Sequence, residues 1–460
     1  MIKLFRHHVS VGSVLVLTAD TLLLLAAVPL AVAIQAGGRQ AVETLLPAVV
    51  FTGLMLALNG SLGLYRREAA EGFGGHLGRV LLAVAIGIPV AYVLFSVTPH
   101  GYEARSAIGY TIVLTLCGLI LLRQVVFWAS TAGLGAKRVL IVGTGEDAAG
   151  VERALATLGY PSMAIVGFYP VAQVGESPAV PADRILPAAL PLSEVVGGLG
   201  VKEVIVAVRE QRGGVLPMRE LIECRVSGVP VTDLAGVYER VRGEVPIESL
   251  KASWLIYGQG FAQGGLRMFV KRSFDIVVSA AMLLLTLPLV LATALAIRLE
   301  SAGPVIFRQV RVGRGGRAFT CLKFRSMRAD AEADGKPRWA VANDDRVTRL
   351  GRFIRKTRID ELPQLINVLR GDMSFVGPRP ERPLFVNELK QTIPYYDLRH
   401  SVNPGITGWA QVRYSYGASV EDARKKLQFD LYYVKNHSLF LDLLILVETV
   451  RVVLFREGAH

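Results

Sequence analysis

Four long apolar stretches occupy the first 130 residues and limit most strongly how the chain can fold. They lie near residues 11–34, 44–64, 78–98 and 107–130, and each has about the 20 residues that a helix needs to cross a bilayer. With 52% hydrophobic residues in 460 positions, the chain is too long for one ordinary domain and too apolar to be wholly soluble. We expect a four-helix transmembrane region over residues 1–134.

Basic residues in the loops predict the orientation of these helices. Lysine and arginine accompany the segments around Lys3, Arg66 and Lys137, whereas the other two loops carry only Arg39 and Arg105. Because cytoplasmic loops hold the excess of positive charge, both ends of the bundle should face the cytoplasm. Three widely separated cysteines show neither metal-type nor disulfide spacing, which fits a reducing, cytosol-facing globular part.

After the bundle, short strand-like runs alternate with helical stretches. The segment "KRVLIVGTGEDAAG" combines a buried-strand pattern with glycines and a helical pattern, as at the start of a βαβ unit. Further strand-like runs occur at residues 163–170, 203–208 and 229–234. This order predicts a small doubly wound, Rossmann-like α/β domain within residues 135–250.

The glycine motif of this domain is a weak dinucleotide signature. Gly143 and Gly145 are in place as candidate cofactor-binding residues, and Ala148 can stand at the third position. However, the second strand ends in "GFYP" without the acidic residue that would bind a ribose. We expect a role in packing, assembly or regulation, and binding of some nucleotide remains open.

A fifth apolar run has basic residues on both sides. It is preceded by Lys271 and Arg272 and followed by Arg298 and Arg308, so both flanks have a cytoplasmic character. Pro288 near its middle favours a kink. We predict a re-entrant membrane helix over residues 273–299 that bends at Thr286–Pro288 and returns on the same side; the alternative is an ordinary fifth span with a proline kink.

The last part of the chain, from about residue 300, combines a cationic surface with an apolar helix. Arg325 belongs to a dense set of basic residues within "VIFRQVRVGRGGRAFTCLKFRSMR" that could bind lipid headgroups, nucleic acid or a phosphorylated substrate. Aromatic residues are not interleaved as a base-stacking platform requires, so we expect no nucleic-acid partner. The stretch "SLFLDLLILVETVRVVLF" contains Asp442 and Glu448, which argue for an interfacial or core helix.

Two adjacent acids, Asp360 and Glu361, stand within "TRIDELPQLINVLRGDMSFVGPRP". An Asp at the N-cap with Pro363 in the first turn explains them as the start of a helix. The neighbouring basic residues favour a second reading, in which one carboxylate is a nucleophile and the other holds Mg²⁺. Phosphoryl transfer needs the charge neutralisation that Mg²⁺, Arg and Lys provide.

Several ordered motifs between residues 267 and 460 resemble the bacterial sugar transferases, the polyprenyl-phosphate hexose-1-phosphate transferases. They are "KRSFD", "CLKFRSM", "RIDELPQLINVLRGDMSFVGPRP", "PGITGWAQV" and "DLYYVKN". The amino-terminal helices with a Rossmann-like domain look like the large form of this family, and "VRYSYGASVEDA" resembles an exopolysaccharide-associated branch. The resemblance implies a membrane protein of mixed class: a four-helix bundle, the α/β domain, a re-entrant helix and a small α/β catalytic domain over residues 267–460.

The resemblance also implies an activity and its residues. Asp360 would attack the β-phosphate of a UDP-sugar, releasing UMP and forming a phosphosugar-aspartate, which undecaprenyl phosphate would then accept in a first membrane step of exopolysaccharide synthesis. Glu361 would bind Mg²⁺, Arg379 would meet the nucleotide or its phosphates, and Lys323 and Asp442 match polar positions of the family's site. The enzyme would belong to the bacterial inner membrane, with its catalytic part in the cytoplasm.

Other roles for these residues, and other functions for the chain, stay open. Arg379 could be a cap between prolines, Lys323 and Arg325 could contact lipid headgroups, and Asp442 could pair with a core arginine. The chain departs from many members at Asn403 and at Arg413-Tyr414, so the hexose is undefined.

The rival functions are a membrane nucleotide-sugar dehydratase and a nucleotide-sensing scaffold. None of the 14 tyrosines has the Lys four residues on that the dehydratase chemistry needs. The apolar bundle and the Rossmann-like domain are compatible with a homodimer.

Overall fold

A computed structural model describes most of the chain in two compact units, which are residues 8–243 and 244–460 apart from the first seven positions. The described residues are 2–4, 7–9, 11–36, 43–65, 73–131, 137–157, 163–171, 177–208, 216–247, 264–328, 331, 346–414, 417 and 419–455. The loop cations Arg39 and Arg66, used above to predict orientation, lie outside these residues.

Nine helices and six strands are described up to residue 243. The helices are α1 (Val11–Ala36), α2 (Leu45–Ser61), α3 (Phe73–Val97), α4 (Gly101–Ser106), α5 (Ile108–Thr131), α6 (Glu146–Thr157), α7 (Leu192–Gly198), α8 (Met218–Val226) and α9 (Leu234–Arg242). The strands are β1 (Ile2–Leu4), β2 (His7–Val9), β3 (Lys137–Val142), β4 (Met163–Tyr169), β5 (Glu203–Val206) and β6 (Val231–Asp233).

Helices α1, α2, α3 and α5 pack as a four-helix bundle, with α1 and α3 each contacting α2 and α5. Segments of α1, α3 and α5 are long and apolar enough to cross a membrane, and α2 is a shorter apolar helix of 17 residues. Asp20 of α1 and Arg123 of α5 form a buried two-contact ion pair inside the bundle, at 2.6 and 3.2 Å. The four apolar stretches of the sequence therefore form helices, and three of these contain segments long and apolar enough to cross a membrane.

The α/β domain contains a parallel sheet in the order β4-β3-β5-β6. Its central strands are short runs of β-branched and aliphatic residues, and their side chains are buried on both faces. Helices α6 and α9 pack on one face, and α7 and α8 pack on the other. The mixed α/β region that the alternating pattern predicts is therefore present.

The second unit contains seven helices and four strands within its described residues. They are α10 (Gly265–Glu300), β7 (Ile306–Val312), β8 (Ala318–Phe324), α11 (Arg349–Lys356), α12 (Gln364–Arg370), β9 (Ser374–Val376), α13 (Pro383–Thr392), β10 (Gly405–Thr407), α14 (Trp409–Arg413), α15 (Val420–Asn436) and α16 (Leu439–Phe455).

A shared apolar core joins α13, α14, α15, α16 and β9. Trp409 of α14 stacks on Tyr432 of α15, with 5.8 Å between the ring centroids. Ser419 and Asp422 form a capping box that starts α15. Leu441 of α16 is fully buried, so α16 is a core helix, one of the two alternatives that its acidic residues left open.

Helix α10 is continuous through Pro288 and has 36 residues. Within its most apolar 18-residue segment, 11% is buried. Its buried positions Asp275, Ser279, Thr293 and Ile297 are spaced so that they share one face. Leucines on the rest of the surface are largely exposed, with Leu285 at 80%. The helix thus presents one face to its own unit and a broad apolar face outward.

Val245 and Ile247 are buried in the core of the second unit, although the predicted boundary at residue 250 assigned them to the α/β domain. The backbone amide of Val245 donates to the carbonyl of Gln428 in α15 at 3.0 Å. The second unit therefore begins before its membrane-type helix.

Candidate active site

Asp360 and Glu361 lie together on a short 3₁₀ helix (359–361) between α11 and α12. The residue before this helix, Arg358, has a φ of 59°, a left-handed backbone conformation that is strained for residues other than glycine. Both acidic residues are only 7% exposed. Because Pro363 occupies the N-cap position of α12, the interpretation of Asp360 as the cap of that helix is wrong.

Three cationic side chains converge on one oxygen of Glu361. Lys323 Nζ lies 3.2 Å from Glu361 Oε1, and Arg358 Nη1 lies 3.5 Å from it. Both terminal nitrogens of Arg379 are 3.3 Å from the same oxygen. The structure thus brings together three predicted site residues and adds Arg358, which its i,i+3 spacing from Glu361 could have indicated.

The pKa values of the two carboxyl groups shift in opposite directions. Burial alone raises the pKa of Glu361, but the charges of Lys323, Arg379 and Arg358 outweigh burial and hold this pKa well below its ordinary value. Burial, followed by the negative charge of Glu361, raises the pKa of Asp360, and nearby cations only partly oppose this. Glu361 is therefore a fixed anion, whereas Asp360 can change its charge closer to neutral pH.

The carboxylate of Asp360 makes no hydrogen bond or ion pair with the residues that the structure describes. The cations around Glu361 contact Oε1 only, which leaves Oε2 without a partner in the same part of the chain. Mg²⁺ is commonly held by one or two carboxylates, with water and substrate phosphates completing its shell. Glu361 Oε2 fits one position in such a shell, although no cluster of three or more ligating side chains occurs among the described residues.

Arg399 supports the loop that carries Arg379. Its Nη2 donates to the main-chain carbonyl of Arg379 at 3.0 Å, and Asp430 accepts from Nε and Nη2 at 3.0 and 2.7 Å. Arg399 and Asp430 are both buried, so this pair fixes the loop from the interior. Sequence reasoning missed both residues; the only signal was that Asp430 opens the quoted "DLYYVKN" motif.

Arg325 and Asp442 lie in other clusters. The guanidinium of Arg325 donates to the carbonyls of Ser301 and Ala302, at 2.7 and 2.9 Å, and so binds the chain just after α10. Asp442 is buried beside Lys271 Nζ at 2.8 Å. Substrate contact by these two residues stays a prediction, and the partner of Asp442 is a lysine rather than an arginine.

The glycine loop of the α/β domain joins β3 to α6. Gly143 has a φ of +119°, and a Cβ at this position would lie 2.8 Å from the carbonyl oxygen of Ala207. Gly145 precedes a helix whose first turn carries Glu146 and Asp147. These acids disfavour a pyrophosphate at that helix terminus, so cofactor binding here stays a prediction with electrostatics against it.

The two positions at which the sequence departs from many bacterial sugar transferases have local partners. Asn403 donates through Nδ2 to the carbonyl of Gly371 at 3.3 Å. The guanidinium of Arg413 lies 4.3 Å from the ring centroid of Trp409, which is cation–π geometry. Both side chains therefore brace the chain near β10 and α14.

A family model described as bacterial sugar transferase matches residues 266–456. A UDP-N-acetylgalactosamine-undecaprenyl-phosphate N-acetylgalactosaminephosphotransferase of Aeromonas hydrophila is 46% identical over 242 residues, which are 53% of this chain and 56% of that protein. A UDP-glucose:undecaprenyl-phosphate glucose-1-phosphate transferase of Escherichia coli is 46% identical over 188 residues, 40% of each chain.

A shorter relative is matched almost throughout. An exopolysaccharide production protein of Rhizobium leguminosarum is 43% identical over 191 residues, which are 40% of this chain and 94% of that protein. The chain spans about half, or less, of the length of the two phosphotransferases above.

Proposed function

This chain belongs to the bacterial sugar transferase family, and we propose that it transfers a hexose-1-phosphate from a UDP-sugar to undecaprenyl phosphate. The names of its phosphotransferase relatives support the substrates and the reaction class. The name of the Rhizobium relative supports a place in exopolysaccharide synthesis. The observation that carries the proposal is a buried Asp360 carboxylate that pairs with none of the described residues and lies beside a Glu361 surrounded by cations.

In the first step, a carboxylate oxygen of Asp360 attacks the β-phosphorus of the UDP-sugar. The bond from that phosphorus to the bridging oxygen breaks, UMP leaves with the electron pair, and an acyl phosphosugar remains on Asp360. In the second step, a phosphate oxygen of the lipid attacks the same phosphorus. The bond to Asp360 breaks, and the free carboxylate returns with the lipid diphosphosugar.

The cations that surround Glu361 supply the electrostatics of both steps. Phosphoryl transfer develops negative charge on the non-bridging and leaving oxygens, and fixed positive side chains stabilise that charge without reorganising. Lys323 and Arg379 are held in place by Glu361, and both lie close enough to Asp360 to oppose the rise of its pKa, so they would meet a diphosphate beside that carboxylate. Glu361 would hold Mg²⁺, which would neutralise charge on the diphosphate when bound, and Asp360 would stay free to attack.

Helix α10 provides a route for the lipid acceptor. Lys271, near its start, contacts the main chain of β9, and Ile297, near its end, packs with Phe324 and Ile354. Both ends of this 36-residue apolar helix contact one unit. The helix is not interrupted at the predicted bend, Thr286–Pro288, and a path that enters the inner leaflet of the bacterial inner membrane and returns stays a proposal. Such a path would keep the site on the cytoplasmic side, where UDP-sugars are made.

The decisive experiment combines the purified full chain in nanodiscs with a UDP-sugar, Mg²⁺ and undecaprenyl phosphate. We expect UMP and a lipid diphosphosugar, and we expect Asp360→Asn to abolish both while the circular dichroism spectrum is retained. Without the lipid, the wild type should give a sugar-phosphate mass on the peptide that contains Asp360. Release of UDP instead of UMP would identify an ordinary glycosyltransferase, and normal turnover by Asp360→Asn would exclude the nucleophile.

A further inference from the structure

The "KRSFD" segment at the start of α10 has polar side chains that the proposed reaction does not use. Lys271, Arg272 and Asp275, which we call the KRD cluster, turn toward their own unit rather than away from it. The side chain of Asp275 is 3% exposed and that of Lys271 is 19% exposed. Charged groups at the start of a membrane helix are expected to remain hydrated, so their burial here needs an explanation.

Arg272 binds the end of the helix that follows the catalytic acids. Its Nη1 and Nη2 donate to the main-chain carbonyls of Val368 and Leu369, at 2.5 and 2.7 Å. These carbonyls belong to the last turn of α12, where a cation also complements the helix dipole. Because α12 begins three residues after Glu361, this contact fixes the far end of the helix that follows Asp360 and Glu361.

Asp275 and Lys271 bind the strand that leads to Arg379. The backbone amide of Phe375 donates to Asp275 Oδ1 at 3.1 Å, and Lys271 Nζ donates to the carbonyl of Val376 at 3.3 Å. Lys271 also contacts Asp275 at 3.2 Å. These contacts hold β9, which ends three residues before Arg379.

A third element completes this arrangement from the carboxyl-terminal end of the chain. Asp442 of α16 lies 2.8 Å from Lys271 Nζ and 2.8 Å from the hydroxyl oxygen of Tyr433 in α15. That hydroxyl also lies 2.9 Å from the carbonyl oxygen of Val376. The polar groups are therefore satisfied by one another, as buried networks must be.

We propose that the KRD cluster positions the two halves of the catalytic site relative to each other, so that Lys271, Arg272 and Asp275 are positioning residues of the transferase. This inference rests on the proposed function. Two adjacent turns of α10 contact both α12, which follows Asp360 and Glu361 in the sequence, and β9, which precedes Arg379. The ion pairs between Arg379 and Glu361 therefore depend on how α10 is seated.

The size of the expected effect follows from the geometry of phosphoryl transfer. A misplacement of ~1 Å between reacting and stabilising groups can cost on the order of 100-fold in rate. Replacing Lys271 would be a poor test, because it would leave Asp275 and Asp442 buried without their shared cation. Asp275 is better, since its loss frees one amide of β9 and leaves Lys271 paired with Asp442.

The test compares Asp275→Ala with Asp275→Asn in the full chain in nanodiscs. For Asp275→Ala we expect kcat to fall by about tenfold to 100-fold, together with faster amide hydrogen exchange over residues 374–380. For Asp275→Asn we expect both quantities to return toward the wild type, because the amide oxygen of asparagine can still accept from Phe375.

Glu300→Ala is the matched control. Glu300 lies at the other end of α10, is exposed, and accepts from the backbone amide of Leu350 at 2.9 Å. Its removal deletes the same kind of contact on the same helix, away from β9, so kcat and exchange over residues 374–380 should both stay at the wild-type level.

Wild-type exchange and kcat in Asp275→Ala would overturn the positioning role, and so would a loss of kcat that the asparagine variant does not recover. If Asp275→Ala does not fold, Arg272→Lys decides: faster exchange over residues 364–370 with lower kcat supports the proposal, and unchanged values refute it. The exchange readout needs no turnover. A wild type that releases no UMP would therefore refute the proposed function separately.

Discussion

Asp360 and Glu361 are adjacent in sequence and equally buried, yet their environments separate their charges. Glu361 faces three cations and has a lowered pKa, whereas Asp360 faces mainly the negative charge of Glu361 after burial and has a raised pKa. A nucleophilic carboxylate with a raised pKa is more basic and therefore more reactive toward phosphorus once it is ionised. The two proposed roles therefore follow from environment, since both residues carry the same functional group.

The pH dependence of UMP release should report this division. Asp360 must be ionised to attack, so the rate should fall as the pH falls through its raised pKa. Glu361→Gln removes a negative charge that raises the pKa of Asp360, so the acidic limb should move to lower pH, with a reduced maximal rate and a weaker dependence on Mg²⁺. Single-turnover UMP release from pH 4 to pH 8 measures both effects, and an acidic limb that moves upward would contradict the assignment.

Within the second unit, the outward face of α10 is unsuited to water, and its inner face explains why the helix stays attached to that unit. Val278 and Met282 pack against the core of the second unit, and Val290 packs near Phe324. Thr286 donates its hydroxyl hydrogen to the carbonyl of Met282 at 2.7 Å, one turn before the proline. Its inner packing and the apolar exposure of its opposite face suit α10 to lie in a membrane while it stays attached to the second unit.

The buried Asp20–Arg123 ion pair links helices α1 and α5 of the bundle. Breaking a buried pair by removing one partner typically costs ~3–5 kcal/mol, whereas replacing both partners by apolar residues can be neutral. We expect Arg123→Leu to lower the thermal unfolding midpoint of the detergent-solubilised protein. The double variant Asp20→Leu/Arg123→Leu should recover most of this loss.

An equal midpoint for Arg123→Leu and the wild type would show that the pair adds no net stability. Thr111→Val in α5, which alters a buried hydroxyl without changing charge, is the control for side-chain replacement in the same helix.

For the whole molecule, the sequence predicted the order of parts better than their contacts. Apolar length and strand–helix alternation are local signals, so the helices α1, α3 and α5 and strands β3 to β6 lie close to where the pattern put them. The Glu361 cluster joins residues from β8, the 3₁₀ helix and the loop after β9. Sequence spacing alone could not have grouped these residues; Lys323, Glu361 and Arg379 were grouped because they match motifs of the family.

Arg399 and Asp430 show what the pattern missed. They lie 31 residues apart and meet only because α15 packs against the 3₁₀ helix Tyr396–Ser401. Arg325 is a similar case. The sequence grouped it with the site because it is basic, but in the fold its guanidinium binds the chain just after α10. The sequence showed the charge of each of these side chains but not the group that each one binds.

Cysteine labelling in intact cells tests the arrangement of the whole chain in the membrane. After replacing Cys117 by serine, we expect Lys202→Cys and Arg317→Cys, both at exposed positions, to react with a membrane-impermeant thiol reagent only after permeabilisation. Tyr102→Cys, in the loop predicted to lie outside and 72% exposed, should react in intact cells. Labelling of Arg317→Cys in intact cells would mean that α10 crosses the membrane.

At Arg358, the backbone conformation favours glycine, whereas the charge near Glu361 requires the arginine side chain. Its left-handed backbone, with φ at 59°, suits glycine, while its guanidinium is one of the three cations beside Glu361. A selection for thermal stability alone would therefore favour glycine at this position, and the selected variants would be more stable but less active. Consensus-based stabilisation of this enzyme should leave codon 358 untouched.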